Sequence, residues 1–237
     1  MVLQSVTPMV SRLRSAPSES RPTLSFEDGA SRHNRLRFAP HTHLFIQGDA
    51  PKGVYEVLSG TVIQYKILAD GRRHVQNFAS KGDFLALTFA DTHDLSAEAL
   101  TAVEVQFVPR SVFDSRLQEQ PAFRRAVFTL VSDMLHDSRE QALLLGRKCA
   151  KERTATFVLF LNETYRDLQT GYASIPMSRC DMADYLGLTL ETVSRMMNSL
   201  KKAGVIDLPQ PNLFKVLNMS KLVSLAGEIY EDESMVA

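Results

Sequence analysis

Ser178-Arg179-Cys180-Asp181-Met182-Ala183-Asp184-Tyr185-Leu186-Gly187-Leu188-Thr189-Leu190-Glu191-Thr192-Val193-Ser194-Arg195 is the most informative segment of this chain. Ser178 and Asp181 have the spacing of a capping box, with Asp in place of the usual Glu or Gln, and predict a short helix from Arg179 to Leu186. Met182 and Leu186 supply its apolar side, and the small Ala183 lets a second helix come close. Gly187 is suited to the left-handed residue that ends a helix. Thr189 is a good N-cap for a second helix, Leu190 to Lys202. Two short helices joined by a glycine-containing turn make a helix-turn-helix.

The second helix has two faces. Val193, Met197 and Leu200 share one and should pack inward. Glu191, Ser194, Arg195 and Asn198 share the other at i, i+3, i+4 and i+7. A recognition helix points the N-terminal part of such a face at base edges in the major groove. Arg195 suits guanine O6 and N7, Glu191 can accept from cytosine N4, and Leu190 can touch a thymine methyl. Thr189, Thr192 and Ser194 bring hydroxyls, and Lys201 and Lys202 should meet phosphates. The competing reading of Glu191 and Arg195 is a surface i, i+4 ion pair worth at most ~0.5 kcal/mol. The segment after the helix favours DNA: Val205-Ile206-Asp207-Leu208, a Pro209-Gln210-Pro211-Asn212 turn and Leu213-Phe214-Lys215-Val216-Leu217 predict a hairpin, the wing of a winged helix.

Upstream the period changes. From Pro121 to about Gly146, Val127, Leu130, Val131, Met134, Leu135, Gln141 and Leu145 recur mostly every three or four residues. Such a helix spans about 40 Å, more than one covering helix on a small barrel requires. It is read as a two-stranded dimer interface, with packing on its own barrel as the alternative. A further helix, Glu152 to about Asp167, carries the apolar stripe Phe157, Leu159, Phe160 and Leu161, with a hinge near Arg147-Lys148.

Residues 25–120 read as short strands cut by Gly/Asp turns: Val54–Val57, Thr61–Leu68, Val75–Phe78 and Ala102–Val108. Asp70-Gly71 is expected to form a type I′ hairpin turn. The pattern indicates an antiparallel roll. Residues 1–24, rich in Ser, Arg and Pro, read as a disordered tail or an organelle transit peptide. The expected organisation is α+β: tail 1–24, β-roll 25–120, dimerisation helix 121–147 and winged helix-turn-helix 148–237.

Composition narrows the classes. The 237 residues carry 27 Lys plus Arg and 27 Asp plus Glu, and 44% are hydrophobic, which excludes global disorder. No apolar run approaches a membrane span. Cys149 and Cys180 are the two cysteines, too few for a disulfide framework, which points to a reducing compartment. Zero net charge argues against nucleic acid only until it is divided. Residues 148–226 are net +3, while Glu228, Glu231, Asp232 and Glu233 turn the C-terminal part to −1.

The run Asp181 to Arg195 resembles the DNA-reading signature of the CRP/FNR superfamily of bacterial transcription regulators, most nearly its FixK-type branch. Gly48-Asp49, Val57-Leu58-Ser59-Gly60, Gly82-Asp83-Phe84 and Ala97-Glu98-Ala99-Leu100-Thr101 are similar to the family's sensor roll. The resemblance implies a cytoplasmic homodimer that reads a palindromic TTGA-type site through Glu191, Ser194 and Arg195. It also implies activation of low-oxygen metabolism with RNA polymerase as a partner.

Three departures shape the expectations. Cyclic-nucleotide-binding members have Gly-Glu after Gly-Asp-Phe and a later Arg-Ser. Here Ala86-Leu87 stands there, and Lys81 and His93 are the basic residues between Val75 and Pro109. A buried cyclic phosphate would lack its counter-charge, so no cyclic nucleotide is expected. Iron–sulfur sensing requires a cysteine cluster, and none precedes Cys149, so no cofactor and no metal are expected. Cys180, one residue before Asp181, is a candidate redox switch whose oxidation would repel DNA, or an inert small residue; Cys149 is a weaker candidate. His41-x-His43 with His74 hints at a cupin-like metalloenzyme, but Gln47 stands where the carboxylate ligand belongs, so no enzyme is expected. A ligand-gated repressor of the same fold and a constitutively competent regulator remain alternatives.

Overall fold

Strands with alternating burial build the first half of the chain in the computed structural model, which describes residues 34–227. The expected tail over 1–24 and the acidic residues from Glu228 onward lie outside the described residues. One antiparallel sheet has the order β1 (Arg35–Phe38), β8 (Val103–Pro109), β3 (Gly53–Ser59), β6 (Phe84–Leu85). The other has the order β2 (His43–Phe45), β7 (Ser96–Ala99), β4 (Val62–Ile67), β5 (Arg73–Ala79). Their inward residues, Phe45, Tyr55, Val57, Val62, Ala79, Leu85, Ala97, Ala99, Val103 and Val105, form one core. Two glycines are fixed by backbone approach. A Cβ on Gly53 would lie 2.1 Å from Val108 O, and one on Gly60, whose φ is +88°, would lie 2.3 Å from Ala102 O.

The β4–β5 turn corrects the type I′ expectation. Gly71 has φ +83°, but Asp70 is not among the positive-φ residues. Gly71 N–H donates to Leu68 O at 2.9 Å and Leu68 N–H to Arg72 O at 2.9 Å, enclosing the three residues Ala69, Asp70 and Gly71. Within it Asp70 accepts from Arg72 N at 3.1 Å and from Arg72 Nε at 2.7 Å, an Asx-type turn.

Two helices follow the roll. The strand alternation contains no hint of α1 (Arg110–Glu119), which is stitched by Arg110 Nε to Asp114 at 3.0 Å and by Ser115 Oγ to Glu119 at 2.9 Å. Arg124 closes the end of α1, donating to Leu117 O and Gln118 O. Pro121 then opens α2 (Pro121–Arg147) at the position where a missing N–H costs nothing. Phe123 and Val127 of α2 join Val54, Val108 and Phe113 in a second cluster.

Among the described residues the chain divides into two compact units, with the boundary between Leu130 and Val131, inside α2. In the second unit α3 (Ala150–Tyr165) is buried continuously from Thr154 to Asn162. A helix buried on every side is a core helix, and Thr154, Thr156 and Asn162 are its buried polar members. Around it stand α4 (Arg179–Leu186), α5 (Leu190–Lys202) and α6 (Met219–Leu225). A three-stranded sheet has the order β10 (Ile206–Gln210), β11 (Leu213–Val216), β9 (Ala173–Ser174).

Candidate nucleic-acid interface

The two helices of the motif begin and end as their capping residues require. Ser178 Oγ accepts from Asp181 N at 3.1 Å, and Asp181 Oδ2 accepts from Ser178 N at 2.9 Å, so aspartate closes the capping box. Gly187 is left-handed at φ +60° and turns the chain toward α5. Thr189 Oγ1 accepts from Thr192 N at 3.2 Å and caps α5. Val193, Met197 and Leu200 are buried. Burying that side turns Glu191, Arg195 and Asn198 outward, all exposed, with Ser194 half-buried beside them and Leu190 43% exposed.

The face is electrostatically prepared. Glu191 is held below the usual carboxylate range, first by its own backbone N–H, then by Thr189 and the Arg195 charge, so it is an ionised acceptor at neutral pH. The helix N-terminus favours that charge. Arg195 Nη2 rests 3.5 Å from Thr192 Oγ1. The alternative reading of Glu191 and Arg195 as a closed ion pair has no counterpart here, because each bonds threonine instead.

The lysines part company. Lys201 Nζ donates to Leu208 O at 2.8 Å, tying α5 to the wing, whereas Lys202 is exposed and bonds no side chain or carbonyl among the described residues. Sequence reasoning missed three further groups. Strand β9 adds a third strand to the wing, pairing Leu213 with Ser174 and Phe214 with Ala173; two residues are too few to show a period. Arg179 reaches from α4 to the wing turn, Nη2 donating to Pro211 O at 2.9 Å, and burial depresses its pKa. Tyr172 OH donates to Asp207 at 3.0 Å, which raises the phenol's pKa.

Both cysteines are exposed, Cys180 in the first turn of α4 and Cys149 at the N-cap of α3. Along α2 the expected seam residues separate. Val131, Met134 and Leu135 are exposed, Leu130 and Leu145 half-buried, but Val127 and Gln141 are buried within the single chain. A 3.5-residue periodicity cannot tell which side of a helix its own chain covers. Phe128, 67% exposed, and Leu143, 52%, were not anticipated.

The histidines of the roll serve the sheet. His43 Nε2 and Tyr65 OH are 2.9 Å apart, and His41 Nδ1 lies 3.3 Å from Glu98. Gln47 Oε1 accepts from Ile67 N–H. Among the described residues no group of three His, Cys, Asp or Glu side chains could hold a metal, and no helix is long and apolar enough to cross a membrane.

Residues 152–225 match the Crp-like helix-turn-helix domain and residues 35–120 the cyclic nucleotide-binding domain. The chain is 38% identical over 174 residues, 73% of each sequence, to the nitrogen fixation regulation protein FixK of Bradyrhizobium diazoefficiens. The chain belongs to the CRP/FNR family of transcription regulators. Another relative, the transcriptional activatory protein AadR of Rhodopseudomonas palustris, is 33% identical over 194 residues, 81% of each sequence. The structure of FixK2 from Bradyrhizobium japonicum superposes with a TM-score of 0.77 at 33% identity, covering 81% of this chain and 96% of that one. The FixK-type resemblance and the α+β architecture read from sequence both hold. The chain is thus a DNA-binding regulator and the metalloenzyme alternative falls.

Proposed function

We propose that the protein is a homodimeric activator of genes used at low oxygen, reading a palindromic TTGA-type site with α5. The observation that carries the reading is the outward face of α5: an ionised Glu191 and an Arg195 fork that, among the described residues, hydrogen-bonds no carboxylate stand one turn apart, capped by Thr189, with Ser194 between them. Arg195 takes guanine O6 and N7, Glu191 accepts from cytosine N4, and Leu190 meets a thymine methyl. Thr192 and Lys202, with Lys201 beside the wing, are placed toward phosphates. Similarity to FixK and to proteins named anaerobic regulatory protein supports the low-oxygen role. RNA polymerase is the partner that activation requires.

The dimer forms along α2. Phe128, Val131, Leu135, Ser138, Ala142 and Leu145 follow one another at alternating intervals of three and four, the spacing of a two-stranded seam. The division into a roll through residue 120, a dimer helix 121–147 and a winged domain from 148 follows from that assignment. The roll takes no cyclic nucleotide: Ala86 and Leu87 replace the ribose-binding pair, Lys81 is exposed, and burial keeps His93 neutral at pH 7. No metal or other cofactor is required, and the reading places the protein in the cytoplasm.

The test is binding to a TTGA palindrome and its base-substituted versions. Arg195→Ala is expected to cost about 1–3 kcal/mol and to relax preference at the guanine alone. Lys202→Ala should weaken all sequences alike and flatten the salt dependence. Undiminished palindrome binding by Arg195→Ala would end the recognition-helix assignment.

A further inference from the structure

Arg153 lies in the first turn and a half of α3, and its three donor nitrogens go to three backbone carbonyls from the ends of two other helices. Nη2 donates to Leu145 O at 2.7 Å, in the last turn of α2, and Nε to Lys148 O at 2.8 Å, the residue that follows α2. Nη1 donates to Leu186 O at 3.0 Å, the last residue of α4. These carbonyls stand where a helix runs out of its own N–H partners. Cys149 N–H, the donor that a continuing helix would aim at Leu145 O, bonds Glu152 Oε2 at 2.6 Å instead. No carboxylate pairs with the guanidinium among the described residues. The negative ends of two helix dipoles converge on one cation.

The turn of the DNA-reading motif is packed into the same place. A Cβ on Gly187 would lie 3.5 Å from Arg153 Nη1 and 3.5 Å from Leu145 Cδ2. Thus the end of α2, the start of α3 and the turn that launches α5 meet at one planar fork. Lysine has one rotatable point of donation and cannot span three carbonyls in fixed directions.

We infer that Arg153 is a positioning residue: by clamping the end of α4 to the end of α2 it fixes the angle at which α5 leaves the dimer helix. In a two-fold dimer that angle sets the separation of the two recognition helices, and hence the half-site spacing that is read, near one helical turn of DNA. Arg153 itself touches no base. The inference rests on the dimeric reading above.

The experiment measures binding of the full-length protein to TTGA palindromes whose spacer is varied one base pair at a time, and to DNA with a single half-site. Wild type, Arg153→Lys and Arg153→Gln are compared. Wild type is expected to show a sharp spacing optimum. Both variants should lose about tenfold or more at that optimum, the scale of a hydrogen bond to a charged group. They should lose little on the single half-site, so that the spacing profile flattens. A second readout uses spin labels at Asn198→Cys in a Cys149→Ser, Cys180→Ser background. The distance distribution between the two recognition helices should be narrow when Arg153 is present and broad in the Arg153→Lys variant. An unchanged spacing profile, or an equal loss on every DNA including the half-site, would overturn the clamp. If wild type itself binds a palindrome no better than a half-site, the dimeric reading fails instead. Should Arg153→Gln not fold, the lysine variant and the label distances decide.

Discussion

Arg195 could be placed on an exposed face of α5 from the sequence because its surroundings are local. A capping threonine, a helix and an i, i+4 relation to Glu191 are all set within a few residues of chain. What sequence did not settle was whether the two charges neutralise each other, and the threonines resolve that by taking both. Cys180 belongs to the same scale. It is exposed in the first turn of α4, and the adjoining Arg179 is committed to the wing carbonyl of Pro211. We propose that oxidation to a sulfinic or sulfonic acid sets a negative charge beside the DNA phosphates. Peroxide treatment should lower operator affinity of wild type and spare Cys180→Ser; equal losses in the two would assign the sensitivity elsewhere, with Cys149 next in line.

Elements were legible where they have a period and obscure where a single contact defines them. The helices Arg179–Leu186 and Leu190–Lys202 fall at the boundaries expected from their caps. By contrast β9 exists because β11 needs a neighbour, and α1 because Phe113 finds Phe123, their rings 5.5 Å apart. The segment after β6 shows the same dependence. His93 is stacked on Phe45 with ring centroids 4.1 Å apart, while its backbone exchanges hydrogen bonds with Gly48 and Asp49. Burial lowers the pKa of this histidine, opposed by the Asp49 charge. A depressed histidine binds its proton more readily in the unfolded chain, so the stabilisation is present above the unfolded pKa and is lost as pH falls toward the folded one. Between about pH 7 and about pH 5.5 the unfolding temperature should therefore drop, and His93→Phe, which keeps the stack and cannot titrate, should flatten that drop. The same slope in both proteins would mean that other groups govern it.

Neutrality is a sum over unlike parts, and the stretch from 148 to 226 is net +3. Modest charge leaves specificity to groove contacts and to the doubling of sites in a dimer. The seam proposed on α2 carries a direct expectation. Leu135 is 51% exposed, next in the repeat after Val131, and a charge there would be desolvated in a dimer but not in a monomer. Leu135→Glu should convert the protein to monomer by sedimentation while leaving helical content unchanged, and should lower palindrome affinity more than half-site affinity. A dimer that survives Leu135→Glu would remove α2 from the interface.

Short-range chemistry specifies the roll's strands, the two helices of the motif with their caps, the wing hairpin and the outward face of α5. Each depends on neighbours within one or two turns, or on an alternation that a strand repeats. The folded chain settles what depends on distant partners. It buried Val127 and Gln141 and exposed Phe128, because which side of α2 its own chain covers is not a property of α2. It also sent one guanidinium from α3 to the ends of α2 and α4, since an arginine's long side chain chooses its acceptors by where helices end in space.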